Sequence, residues 1–246
     1  VKKFFLLSSS IIFLFSCQTG YFVTSVEDSQ QKFDESYTKQ DEAIETEILP
    51  YRIELEASMN EILVVCAKNL PKEKPESLLG NLLADASIAI AEQYTQSKID
   101  AGIMNYGGIR VPSISAGNVT LGNVYEVMPF DNYLVTLDMS GLILNEVLQK
   151  IAAGGGWPLA GIQFKIKDGQ AVDIKIQGDP LDLNKNYVVA ISDYLANGGD
   201  NLEMLKELPQ QNTNVLLRDA FIEYFKQINA RGELLDAAIE KRIVNE

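Results

Sequence analysis

From Ile48 onward the chain interleaves short β-branched apolar runs with amphipathic helical stripes in no regular order, and this restricts it to a mixed α/β architecture. The apolar run at 62–66 reads as a buried strand, as do 99–104, 133–139, 162–166, 171–176 and 187–192. The clearest helix is 77–94, where Leu78, Leu82, Ala86, Ile90 and Tyr94 recur every fourth residue and Leu79, Leu83 and Ala89 widen the stripe. Further helices are expected over 142–152 and 215–228, over the stretch ending near Asn60, and over the tail at 234–243. Gly117 to Thr120 reads as a turn, and 121–127 as a short helix or an extended piece. The expected fold is a mixed sheet with helices packed on it, α/β in the mixed α+β sense.

A length of 246 residues suits one domain, or one domain with a tail. A formal net charge of -13 sets the surface against polyphosphate backbones, which excludes nucleic acid as a partner but not one small anion held by a local arginine. The sequence contains no histidine. That removes the imidazole ligands of most hydrolytic metal sites and the base of Ser-His and Cys-His nucleophile pairs, while carboxylate-only or lysine-assisted chemistry stays open. The cysteines are Cys17 and Cys66, and no disulfide is expected between them.

The N-terminus reads as an address. Lys2 and Lys3 precede an apolar run at 4–15, which suits a signal-peptide core and falls short of the roughly 20 residues of a spanning helix. The run ends in Leu14-Phe15-Ser16-Cys17, which resembles a bacterial lipobox and makes Cys17 the expected lipidation site. The alternative is an ordinary cleaved signal with a chance cysteine; both place the protein in the bacterial cell envelope, the first as a membrane-anchored lipoprotein. The expected organisation is a signal peptide at 1–16, a polar tether or partly helical spacer at 17–47, and a folded domain at 48–246.

Three segments beside strand ends gather glycine, asparagine and acids: 105–110, 128–132 and 193–200. Each has a plain structural explanation: a turn needing positive φ, a core anchor at Phe130, or a helix N-cap at Asp200. Together they describe something more specific. Arg110 is the only arginine between Arg52 and Arg218, and beside the Gly107-Gly108 turn it is suited to grip an anion. Phe130 and Tyr194 can clamp a flat base between their rings. Asp200 can accept hydrogen bonds from vicinal ribose hydroxyls. Anion grip, aromatic clamp and hydroxyl acceptor point to a nucleotide.

At these residues the sequence resembles the C-terminal, substrate-binding domain of 5'-nucleotidases, over about 76–205. The landmarks are Leu79-Gly80-Asn81-Leu82-Leu83-Ala84-Asp85-Ala86, Asn105-Tyr106-Gly107-Gly108-Ile109-Arg110, Gly117-Asn118-Val119-Thr120, Met128-Pro129-Phe130-Asp131-Asn132, Ser140-Gly141 and Tyr194-Leu195-Ala196-Asn197-Gly198-Gly199-Asp200. The resemblance implies that Arg110 contacts the nucleotide, that Asn105 and Asn132 lie near it, that Phe130 and Tyr194 stack on the base (the second is usually phenylalanine), and that Asp200 contacts the ribose. Gly107 and Gly108 complete the expected substrate-binding set. The family's full-length enzymes carry a separate metallophosphatase domain with a dinuclear metal site of His, Asp and Asn. No cofactor or catalytic residue is therefore expected in this chain, and divalent metals only in a partner metallophosphatase. The family often has an arginine before Gly80-Asn81; here that stretch is Pro71-Lys72-Glu73-Lys74-Pro75-Glu76, and a lysine lacks the planar fork. The implied function is the nucleotide-binding half of a split 5'-nucleotidase. An envelope nucleoside- or nucleotide-binding module and a structural lipoprotein with a vestigial site remain as alternatives.

Overall fold

The computed structural model describes Ser25 and residues 41–246. Cys17 and the signal-peptide segment lie outside the described residues. Ile48–Glu246 form one compact unit. The elements in chain order are α1 (Glu42–Met59), β1 (Ile62–Cys66), β2 (Leu70–Pro71), α2 (Leu78–Thr95), β3 (Ala101–Ile103), β4 (Ser113–Ile114), β5 (Gly117–Thr120), α3 (Leu121–Val127), β6 (Tyr133–Ser140) and α4 (Gly141–Ala153). They continue with β7 (Leu159–Ala160), β8 (Ile162–Lys167), β9 (Gln170–Ile176), β10 (Asp179–Pro180), β11 (Asn186–Ser192), α5 (Asp193–Ala196), β12 (Gln210–Leu216), α6 (Leu217–Ala230) and β13 (Ile243–Asn245).

The sheets are mixed, as the interleaved pattern predicts. A five-stranded sheet runs β12-β6-β11-β3-β7, and a four-stranded one runs β10-β9-β8-β13. In the first, β11 and β3 are parallel while β6 lies antiparallel to β11 along its whole length, from Asn186↔Ser140 to Ser192↔Leu134. Alternate residues of β6 and β11 then face opposite layers. Leu134 and Ala190 join α2 and α6 in one core; Val135, Leu137, Met139, Val189 and Ile191 join α4, β8 and β9 in a second. Phe221 and Phe225 of α6 are fully buried in the first, a burial that stabilises by about 1.5–3 kcal/mol each.

Local chemistry sets the helix starts. Ser77 caps α2 by accepting from the Gly80 N–H at 3.0 Å, and α2 ends at Gln96, which turns left-handed at φ 54°. Thr120 and Asn123 form a reciprocal capping box on α3, and Ser140 caps α4. No residue of α1 is buried, and its first turn is capped by Asp41 Oδ1, which accepts from the Ala43 N–H at 2.9 Å. Among the described residues, no helix is long and apolar enough to cross a membrane.

Three expectations fail. The tail at 234–243 is not a helix: its backbone groups are taken by non-helical partners. Leu235 N–H donates to Val65 O at 2.8 Å, and the Glu76 carboxylate accepts from the N–H groups of Glu240 (2.8 Å) and Arg242 (2.9 Å). The chain then runs into β13, parallel to β8. Gly117–Thr120 is a strand rather than a turn, paired antiparallel to β1. The expected helix at 215–228 begins later, at Leu217, because Val215 and Leu216 finish β12, whose polar residues pair with β6 at the sheet edge.

Candidate functional site

The sheet topology brings the three singled-out segments to one place. Because β3 and β11 are parallel neighbours, residues 105–110 after β3 and residues 193–200 after β11 leave the sheet at the same end. β6 runs antiparallel to β11, so residues 128–132, which precede it, arrive at that end too. Two backbone bonds fix the middle segment: Arg110 N–H donates to Val127 O at 2.9 Å, and Leu217 N–H donates to Asn132 O at 2.7 Å.

A cleft of about 330 Å³ results, lined by Asn105, Gly107, Gly108, Arg110, Phe130, Asn132, Tyr194 and Asp200. All eight residues singled out in the sequence therefore share one concavity, at the lower end of the roughly 300–1,000 Å³ usual for small-molecule sites. It is not the largest hollow: grooves of about 510 and 500 Å³ lie against β8 and β9 and between α2 and the Gly161 turn. Neither pairs exposed aromatic rings. In the cleft, Phe130 is 39% exposed and Tyr194 44%, whereas the core rings Phe221 and Phe225 are closed off from solvent. Phe130 is thus no core anchor, and an exposed pair of rings at a cleft mouth is available for stacking.

The polar groups of the cleft are ordered. The Arg110 guanidinium lies 5.8 Å from the Phe130 ring centroid, and its Nη1 donates to Gly107 O at 3.1 Å. Asp200 is not a helix N-cap. It holds a left-handed conformation (φ 51°, ψ 36°), and its carboxylate accepts from Asn105 Nδ2 at 2.8 Å and from the Tyr194 hydroxyl at 2.9 Å. Gly108 leaves room for the Asn105 carboxamide, since a Cβ there would stand 2.6 Å from Asn105 Oδ1. Behind Arg110 the segment before α2 adds two ammonium groups. Lys72 and Lys74 lie 4.0 and 4.7 Å from the Tyr106 ring centroid. Lys72 donates to Ile109 O at 2.7 Å and Lys74 to Gly154 O. Burial, then the nearby Arg110 and Lys74 charges, push the Lys72 ammonium below its ordinary pKa. Among the described residues no group of three or more His, Cys, Asp and Glu side chains is placed to hold a metal ion.

One supporting residue was missed in the sequence. Arg218, at the start of α6, is 7% exposed. Its Nη2 donates to Asp131 Oδ1 at 2.8 Å and its Nη1 to Phe130 O at 3.4 Å, and its guanidinium lies 4.3 Å from the Tyr125 ring centroid. Its Nε has no hydrogen-bond partner among the described residues, with Asp219 Oδ1 3.9 Å away. Arg218 therefore holds the Phe130 loop from behind. The available signal was an arginine inside the buried stripe of α6, where Leu217, Phe221, Phe225 and Ile228 also lie. Asp131 is exposed, so water screens that ion pair and the carbonyl and ring contacts dominate. Arg218→Met is expected to cost about 1–2 kcal/mol in urea denaturation and to speed hydrogen exchange at the amides of residues 130–132. Unchanged exchange there would show that the loop stands without it.

The fold is a mixed α/β domain with a cleft built from loops on a rigid sheet and lined by a guanidinium, two exposed rings and a carboxylate. Residues 59–207 match the family described as 5'-nucleotidase, C-terminal domain, and the chain belongs to that family. It is 35% identical over 157 residues to protein UshA of Salmonella pullorum, covering 61% of this chain and 28% of that protein. It is 31% identical over 191 residues to a 5'-nucleotidase of Vibrio vulnificus, covering 74% of this chain and 33% of that protein. Among solved structures, a 5'-nucleotidase precursor from Thermus thermophilus superposes with a TM-score of 0.71 at 27% identity, over 82% of this chain and 42% of that one. The chain thus spans about 28–33% of the length of these two curated relatives.

Proposed function

We propose that this chain holds a nucleotide or nucleoside in the cleft of Arg110, Phe130, Tyr194 and Asp200, and serves as the substrate-binding half of a 5'-nucleotidase-type phosphohydrolase whose metallophosphatase part is supplied by a separate chain. The observation that carries the reading is the meeting, at one sheet end, of an exposed guanidinium, two exposed rings and a carboxylate that lie up to 90 residues apart in sequence. The base stacks on the rings, Asp200 accepts from the sugar hydroxyls, and Arg110, with Lys72 and Lys74 behind it, faces the phosphate. This sequence contains no histidine, so an imidazole-bearing metal site of the kind the reading calls for would be built from residues outside it. Acylation at Cys17 would place this half at the surface of an envelope membrane.

The test has two readings. Calorimetric titration of the purified chain with AMP should show saturable binding, weakened about tenfold or more in Arg110→Ala by loss of a charge-assisted contact. Mixing the chain with a metallophosphatase chain lacking its own substrate domain should raise AMP hydrolysis above either component alone. Binding without any gain in hydrolysis at any ratio would leave a binding module of the envelope and remove the split-enzyme reading.

A further inference from the structure

The Tyr194 hydroxyl does something that a stacking ring does not require. A phenylalanine would offer a base the same π-face. Every contact recorded for the hydroxyl goes to one residue: it donates to Asp200 Oδ1 at 2.9 Å and accepts from the Asp200 N–H at 3.3 Å. The ring that carries it lies close against Gly199, where a Cβ would stand 2.5 Å from Tyr194 Cε1 and 2.6 Å from Cζ.

We propose that Tyr194 is a positioning residue for Asp200: its hydroxyl fixes the carboxylate so that the cleft reads a vicinal diol, and it thereby sets the preference for ribose over deoxyribose ligands. The inference rests on the reading of the cleft as a nucleoside site. A carboxylate offers about four acceptor sites, two on each oxygen. In the free protein one on Oδ1 is filled by Tyr194 and one on Oδ2 by Asn105. One acceptor site then remains on each oxygen, held in a fixed plane, which matches two hydroxyls on adjacent carbons. An exposed carboxyl torsion is otherwise broad and twofold. Without the tyrosine, only Asn105 would orient the group, and a diol would have to order it on binding. A ligand with one of the two hydroxyls missing makes a single bond and gains little from that order. The hydroxyl is a donor at neutral pH, as a phenol ordinarily is, and its hydrogen bond to the Asp200 carboxylate raises its pKa further.

Titration of the full chain with adenosine and 2'-deoxyadenosine tests this. The wild type is expected to prefer adenosine by about tenfold or more, the loss of one hydrogen bond to a charged acceptor. In Tyr194→Phe the adenosine affinity should fall about 5–10-fold while that for 2'-deoxyadenosine changes less than about twofold, so that the preference collapses. Asp200→Asn should lose the preference as well. A Tyr194→Phe protein that keeps the wild-type ratio overturns the positioning role and leaves the nucleoside reading intact. Equal loss of both ligands assigns the tyrosine to packing alone and also overturns it. A wild type that binds neither adenosine nor AMP removes the nucleoside reading itself, and this inference with it.

Discussion

Arg242→Ala is expected to lower the unfolding free energy by about 2–3 kcal/mol, from the lost packing and hydrogen bonds of a buried guanidinium whose carboxylate partners are half exposed and screened by water. Arg242 is 6% exposed. Its Nη1 donates to Leu159 O at 2.6 Å, its Nη2 to Asp85 Oδ2 at 2.8 Å, and its Nε to Glu240 Oε2 at 2.9 Å. It joins α2, β7 and the C-terminal tail at a single point, and its removal leaves a buried carbonyl and a half-buried carboxylate without a partner. The sign of the pH dependence follows. Burial already raises the Asp85 carboxyl above its ordinary range, with Arg242 opposing that rise. A carboxyl whose folded pKa lies above its unfolded one costs stability as the pH rises through that interval. Without the guanidinium the folded pKa climbs further, so the deficit of the variant should be larger in neutral buffer than in mildly acidic buffer. Urea denaturation at both conditions measures it; a loss below about 1 kcal/mol would show that the tail is held by its backbone bonds alone.

Gly141→Ala should be at least as damaging, about 3 kcal/mol or more, and is expected to show first as lost soluble yield. A Cβ at this position would stand 2.1 Å from Asp182 O and 2.8 Å from Leu183 Cα, and both are backbone atoms that cannot swing aside. The same glycine donates its N–H to Lys185 O at 2.8 Å, at the corner where β6 turns into α4. Pushing residues 182–185 away would strain the start of β11 just where Asn186 pairs with Ser140. Gly169→Ala is the control. That glycine has φ +76° but nothing within 4 Å of an added Cβ, so it should lose only the left-handed penalty of about 1–2 kcal/mol. Equal melting temperatures for the two variants would contradict the close-packing argument.

Much of this was legible because local and global signals agree. In α2 the four-residue stripe, the Ser77 cap and the small residues describe the helix that forms. In α4 the Ser140 cap and the apolar spacing do the same. The cleft residues stood out because glycine, asparagine and acids beside strand ends are costly unless a turn or a ligand uses them. What escaped the sequence depends on partners distant along the chain. Leu234, Leu235, Ala238 and Ile239 have helical spacing, yet a carboxylate from Glu76 claims the amides of Glu240 and Arg242 and no helix forms. The run Gln210-Gln211-Asn212 has no strand composition, and it becomes a strand because the edge of β6 offers unpaired backbone groups. Arg218 and Arg242 were invisible as organisers because the contacts that tie each to another element reach residues more than 80 positions away.

The separation of frame from contact surface has an evolutionary side. β3, β11 and β6 are locked edge to edge, and the three segments that shape the hollow hang from their ends without contributing to that lock. On the proposed reading of the cleft, exchanges at Asn105, Phe130 or Tyr194 would alter which molecule is welcomed while leaving the hydrogen-bonded ladder untouched. Such a scaffold would let the guest change at little risk to folding, because the loops that meet it are not the strands that hold the sheet together.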